Sequence, residues 1–252
     1  MADRAHRFLA VAPLIGARRE RSRKGSVGRF TGQSRRGAAA YPTMEEAFEA
    51  GIRGTLHRPE QESGDAIVLT HGAGSDANAP LLVKLARAFA ENGHLVLRYN
   101  LPYRLARPKG PPFPAGAARD REGIAAAIEA ARKFACGRVI AGGHSYGGRQ
   151  TAMLAAERPG IAEGLLLLSY PLHPPQRPER PRTAFFPDVR TPALFVHGTA
   201  DPFASVEELR AAVALIPAHT DMLAVEGAAH DLRRAGDMAV EILGRLYALV
   251  EG

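Results

Sequence analysis

The heptapeptide Gly142-Gly143-His144-Ser145-Tyr146-Gly147-Gly148 places one hydroxyl between glycines two residues before it and two after. That spacing suits a nucleophile. A short apolar strand, Arg138–Ala141, leads in, and a helical stretch through Glu157 leads out until Pro159-Gly160 stops it. A side chain on so sharp a strand-to-helix turn sits in a strained backbone conformation that lifts its oxygen above the sheet. The chain crowds itself there, so only small residues fit at Gly143 and Gly147. The plainer alternative is a glycine-rich turn around a buried hydroxyl, and the strand–turn–helix context favours the nucleophile.

A second glycine loop, His71-Gly72-Ala73-Gly74-Ser75, follows the strand Ala66–His71. Gly72, Gly74 and Ala77 fit a dinucleotide fingerprint, which needs an acid at the end of the next strand to hold the ribose. That strand ends Arg98-Tyr99-Asn100, with no acid, and the nicotinamide reading falls. A single cysteine, Cys136, excludes an intramolecular disulfide and a cysteine-based zinc site. It precedes a strand and reads as a small core residue. No metal or organic cofactor is expected.

The elements that must position these residues follow from hydrophobic periodicity. Apolar runs predict about seven strands, at Ile52–His57, Ala66–His71, His94–Tyr99, Arg138–Ala141, Leu165–Ser169, Ala193–His197 and Met222–Val225. Helical spacing appears at Pro80–Ala90 and Arg121–Ala135, after the capping box of Ser205 and Glu208, and through Met238, Ile242, Leu246 and Leu249. Alternating strands and helices predict an α/β fold, its sheet mostly parallel and covered on both faces. Ligands of such sheets bind at the carboxyl ends of the strands. That rule filters the nine histidines. His219 precedes its strand, His57 and His94 look strand-terminal or superficial, His6 lies in the N-terminal segment, and His197 sits within a strand and should pack locally.

With Ser145 on its turn, the chain resembles the α/β-hydrolase superfamily, whose triad runs Ser, then acid, then His along the chain. Asp201, in Gly198-Thr199-Ala200-Asp201-Pro202-Phe203 after a strand, stands at the position of the family's acid. His230, in Glu226-Gly227-Ala228-Ala229-His230 after the next strand, fits the base. Asp231 adjoins His230, and its side chain would struggle to fold back onto the imidazole. The resemblance covers most of residues 50–252. It implies an oxyanion hole made by the backbone N–H of Tyr146 and one from the first glycine loop, Ala73 or Gly74. It also implies an α/β-hydrolase fold with no large cap domain, because no insertion between the strands is long enough.

Compact size, His71-Gly72-Ala73-Gly74-Ser75-Asp76 and Gly198–Phe203 look like the small dienelactone-hydrolase-like group. Typical members use a cysteine nucleophile where this chain has Ser145, so the dienelactone substrate is not carried over. The expectation is a serine hydrolase that cleaves a carboxylic ester or thioester through an acyl-enzyme. The alternative from another class is a catalytically silent α/β-hydrolase fold that serves as a binding or scaffold protein.

Charge narrows the partners. Of the formal net charge of +7, residues 1–40 carry nine Arg and one Lys against Asp3 and Glu20, a balance of +8, which leaves 41–252 near −1. The basic segment has only Phe8 and Phe30 as aromatics and predicts no nucleic-acid partner. Its apolar stretch 8–17 runs straight into arginines where a signal peptide would need a cleavage site. Residues 1–40 therefore read as a disordered extension, a transit peptide or a start placed too far upstream, and 41–252 as the domain. No run of 18 apolar residues spans a membrane, and a cytoplasmic location is expected.

Two loops, Leu101–Ala118 and Pro171–Asp188, should rim the site. They hold 11 of the 19 prolines and are expected to be stiff and extended rather than helical. Arg104, Arg107 and Lys109 on the first and Arg177, Arg180 and Arg182 on the second, with Arg98 and Arg149 near the same edge, would make a mouth that binds an anionic ester, or else these are solvated loop arginines. The sequence leaves the oligomeric state open.

Overall fold

The computed structural model describes residues 44–49 and 52–252. The expectations for residues 1–40 lie outside the described residues. The elements run β1 (Met44–Glu49), β2 (Arg53–Arg58), β3 (Ala66–Thr70), α1 (Pro80–Glu91), β4 (Leu95–Asn100), α2 (Pro102–Ala106), α3 (Ala117–Arg132) and β5 (Val139–His144). They continue with α4 (Tyr146–Glu157), β6 (Gly164–Leu168), β7 (Ala193–Gly198), α5 (Val206–Val213), β8 (Thr220–Val225) and α6 (Ala239–Glu251). The strands form one sheet in the order β1-β2-β4-β3-β5-β6-β7-β8. β1–β2 and β2–β4 pair antiparallel, and every other pair is parallel.

The central strands are apolar on both faces because both faces are covered. Along β3, Ala66 and Val68 join one core, and Ile67 and Leu69 join the other. Leu82, Leu85 and Phe89 of α1 pack with Ile242 and Leu246 of α6 on one side. Ile124 and Ile128 of α3, Leu154 of α4 and Leu209 of α5 lie in the core of the other side. The capping box that opens α5 is formed: the Glu208 N–H donates to Ser205 Oγ at 3.1 Å and the Ser205 N–H to Glu208 Oε2 at 2.8 Å. Among the described residues no helix is long and apolar enough to cross a membrane, and no large cap interrupts the sheet.

Several expectations need correction. The sheet has eight strands rather than about seven. β1, Met-Glu-Glu-Ala-Phe-Glu, hides from an apolar-run search because it is an edge strand, where Glu45 and Glu46 are tolerated beside solvent. Glu46 accepts from Arg58 Nε at 2.7 Å and Glu45 from Arg87 Nε at 2.6 Å. Cys136 is exposed in the turn before β5. His57 and His94 are buried: His57 Nε2 accepts from Arg98 Nε at 2.7 Å, and His94 stacks on Tyr247. The first proline-rich loop is not wholly extended, since Pro102 starts the five-residue α2. The Pro171–Asp188 loop keeps its irregular path until a single 3-10 turn at Phe186–Asp188.

Candidate active site

The parallel strands bring the loops after β3, β5, β7 and β8 to one edge. Ser145 follows β5 with φ of 51° and ψ of −114°, outside the basins that L-residues prefer. Its N–H donates to Leu168 O at 2.8 Å, which ties the turn to β6. A Cβ at Gly147 would stand 2.6 Å from His71 O, and one at Gly143 2.7 Å from Thr70 O. Backbone occupies the space on both sides, and this is why the flanking residues are glycines.

Ser145 Oγ lies 2.8 Å from His230 Nε2, and His230 Nδ1 lies 2.8 Å from Asp201 Oδ2. A carboxylate only accepts, so Nδ1 carries the proton and Nε2 is free to accept from the serine hydroxyl. Asp201 Oδ1 accepts the Phe203 N–H at 2.9 Å. Burial by itself raises the Asp201 carboxyl. The hydrogen bond and charge of His230 and the Phe203 N–H outweigh it and hold the group below the ordinary carboxylate range. The imidazole is packed as well as bonded. Phe203 covers it at 4.2 Å between ring centroids, and His144 Nε2–H donates to the His230 carbonyl at 2.7 Å. Asp231 turns away and pairs with Arg233 at 2.5 Å.

A cavity of about 440 Å³ opens beside the serine, lined among others by Ala73, Ser145, Tyr146, Arg149, Arg182 and Phe203. Ala73 belongs to that lining, whereas Gly74 is exposed and outside it. Close approach is needed at Gly72, where a Cβ would stand 3.0 Å from His144 Nδ1 and 3.4 Å from Ser145 Cβ. Tyr146 opens α4, and the N–H of a first helical residue has no partner within its helix.

Residues 63–245 match the family model of the alpha/beta hydrolase domain. The chain belongs to the α/β-hydrolase family. Solved structures share its fold. A Thermus thermophilus protein superposes with a TM-score of 0.66 at 22% identity, over 84% of this chain and 99% of its own. The dienelactone hydrolase of Anabaena variabilis gives 0.62 at 17% identity, over 82% and 99%. A Xanthomonas campestris member of the a/b serine hydrolases, described as lacking a lid, gives 0.62 at 16%, over 82% and 97%.

In this α/β hydrolase three of the expected arginines part company. Arg98 is buried in the core, spent on His57 Nε2, Ala77 O and Asn78 Oδ1. Arg104 is buried too, and its Nε and both Nη atoms donate to the carbonyls of Ser75, Arg107, Pro108, Ala73 and Gly110. The remaining Nη2 of Arg98 stands 3.7 Å from the Glu45 carboxylate, so both arginines are committed within the fold and their expected role is corrected to scaffolding. Arg149 does line the cavity, and its buried Nε has no partner. Beside it stands Arg182, one of the arginines expected on the second rim loop. Burial, then the charge of Arg149, lowers the Arg182 guanidinium.

Two further groups escaped notice in the sequence. His71 is fully buried, and burial lowers it to about 4, so it is neutral at pH 7. Its Nε2 accepts the Leu101 N–H at 3.1 Å, and its Nδ1–H donates to Gly72 O at 2.9 Å. Asp120, on α3, accepts from the Tyr103 N–H and the Tyr146 hydroxyl. Their signals, a histidine before a glycine loop and an acid in the first turn of a helix, are too common to stand out.

Proposed function

We propose that this protein is a serine hydrolase that cleaves a carboxylic ester or thioester. The observation that carries the reading is the unbroken chain from Ser145 Oγ through His230 to Asp201, two contacts of 2.8 Å on a left-handed serine. His230 Nε2 takes the hydroxyl proton as Ser145 Oγ bonds to the acyl carbon. Asp201 fixes the imidazole tautomer and stabilises the imidazolium. The N–H groups of Tyr146 and Ala73 receive the charge that develops on the carbonyl oxygen, a contribution of about 3–4 kcal/mol per donor in hydrolases of this kind. His230 then returns the proton to the departing alcohol or thiol. Water, deprotonated by the same nitrogen, releases the acid and restores Ser145.

The substrate reading follows from Arg149 and Arg182, two cations in a cavity whose lining contains no carboxylate. An ester that carries its own anion would supply the missing partner, with charge-assisted hydrogen bonds to the guanidinium groups.

The test is labelling with a fluorophosphonate probe. Wild type should label, and Ser145→Ala should neither label nor turn over esters while keeping its thermal stability. Labelling of the alanine variant would remove Ser145 from the role. A folded wild type that neither labels nor hydrolyses any ester in a chain-length panel would instead favour the silent binding protein.

A further inference from the structure

We infer that Tyr103 and Asp120 are positioning residues that aim both N–H donors of the oxyanion hole from one buried carboxylate. This inference rests on the serine-hydrolase reading and adds the parts that hold its donors in place. Neither residue lines the cavity, so neither touches the reacting atoms.

Asp120 has no exposed surface and, among the described residues, no ion-pair partner. A carboxylate so placed is costly unless its oxygens are satisfied. Oδ1 accepts the backbone N–H of Tyr103 at 3.0 Å, and Oδ2 accepts the Tyr146 hydroxyl at 2.7 Å. Burial, followed by that hydrogen bond, pushes the Tyr146 phenol far up, so it remains a donor at any working pH. One carboxylate therefore holds the first residue of α4, next to Ser145 in the chain, and the start of α2.

Tyr103 carries the frame to the other loop. Its hydroxyl is within 3.0 Å of both Gly72 O and Ala73 O. In a trans peptide the C=O and the N–H point in opposite directions. Holding Gly72 O on the Tyr103 side thus turns the Ala73 N–H the other way, towards the cavity that Ala73 lines with Ser145. His71 Nδ1–H and the Ser75 N–H grip the same Gly72 oxygen at 2.9 and 3.2 Å, while Ala73 O is gripped by Tyr103 and Arg104. The two aromatic rings meet edge to face at 5.7 Å. Because Asp120 binds the backbone of α2, whose Tyr103 holds the Gly72–Ala73 loop, and the side chain of Tyr146 on α4, the two donors are set against each other and not separately.

The test compares wild type, Tyr103→Phe and Asp120→Asn in hydrolysis of p-nitrophenyl acetate and in inhibition by phenylboronic acid, which forms a tetrahedral adduct on a serine. Losing a whole oxyanion donor costs about 100- to 1,000-fold in kcat, so a misaimed one should cost about 10- to 100-fold. KM should stay within about 2-fold, and boronic acid affinity should fall in step with kcat/KM. The double variant should be little worse than the poorer single one, since the two act as a unit. Tyr103→Phe keeps the ring and its packing, so it decides the matter even if Asp120→Asn does not fold. A Tyr103→Phe enzyme with unchanged kcat, or one that loses KM while boronic acid affinity holds, overturns the inference. An inert, unlabelled wild type overturns the serine-hydrolase reading itself, and the two failures are thereby distinct.

Discussion

On the α2 side of the cavity Arg104 commits its guanidinium to five carbonyl oxygens, whereas on the α4 side Arg149 keeps a buried Nε without a partner. Both are partly or wholly withdrawn from water, and neither has an ion pair among the described residues. The difference lies in what surrounds them. Arg104 sits where two loops turn their carbonyls inward, and it binds the 107–110 segment to the 73–75 loop. Arg149 faces an open cavity with a second cation beside it. A buried arginine with every donor used is a brace, and one with a donor to spare is a receptor.

The largest expected effect comes from removing the brace. Arg104→Met leaves inward-facing carbonyls without donors, each costing about 1–3 kcal/mol, so the domain should lose at least about 3 kcal/mol in chemical denaturation. Activity should fall on neutral and anionic esters alike. An unchanged stability with a loss confined to anionic esters would make Arg104 a ligand arginine after all and erase the contrast.

Acid probes the same side through its histidines. Burial lowers His71 and His57 from 6.5 to about 4 each. Their folded values lie below the unfolded one, so the unfolded chain binds more protons between the two. Stability should be full above pH 6.5 and fall as the pH drops towards 4, by about 3 kcal/mol per histidine at the lower end. Urea melts across this range should show the slope, and His71→Gln should flatten it. A melt independent of pH from 6.5 to 4 would contradict the buried neutral state.

A smaller and selective effect belongs to the receptor. Arg149→Met should lower kcat/KM about 10-fold for a carboxylate-bearing ester and leave a neutral ester of equal size nearly unchanged. The wild-type preference should shrink with salt, as partly exposed charges are screened over about 8–10 Å. Equal losses on both esters would reduce Arg149 to a second brace. The smallest effect should come from Arg107, on the same loop as Arg104 but held at 4.2 Å over the exposed Phe113 ring. Arg107→Ala should cost under about 1 kcal/mol.

How much of this could be read from sequence depends on range. Seven strands and the Ser145 turn are local patterns, and Gly143 and Gly147 announce crowding by their type alone. Asp201 and His230 came from chain order within the family, and the fold brings their side chains together. β1 was lost because three glutamates in six residues look like a solvated segment until an edge position accounts for them. Arginine roles were lost for a deeper reason. The partners of Arg104 are backbone carbonyls, which every residue has, so no sequence pattern marks them. Tyr103 and Asp120 were missed likewise, since their link runs across two helices and a loop.

The exposed Cys136 has a practical consequence. It is the single thiol of the 252-residue chain and lies just before β5, at the amino ends of the parallel strands. Ser145 lies just past the other end of that six-residue strand, roughly 20 Å away at the ordinary rise of an extended chain. A maleimide dye or a gold surface would thus take hold of every molecule at one point, on the side opposite the cavity. Molecules tethered that way should all present their open face to the solution, ready for single-molecule or electrode measurements without any engineered handle.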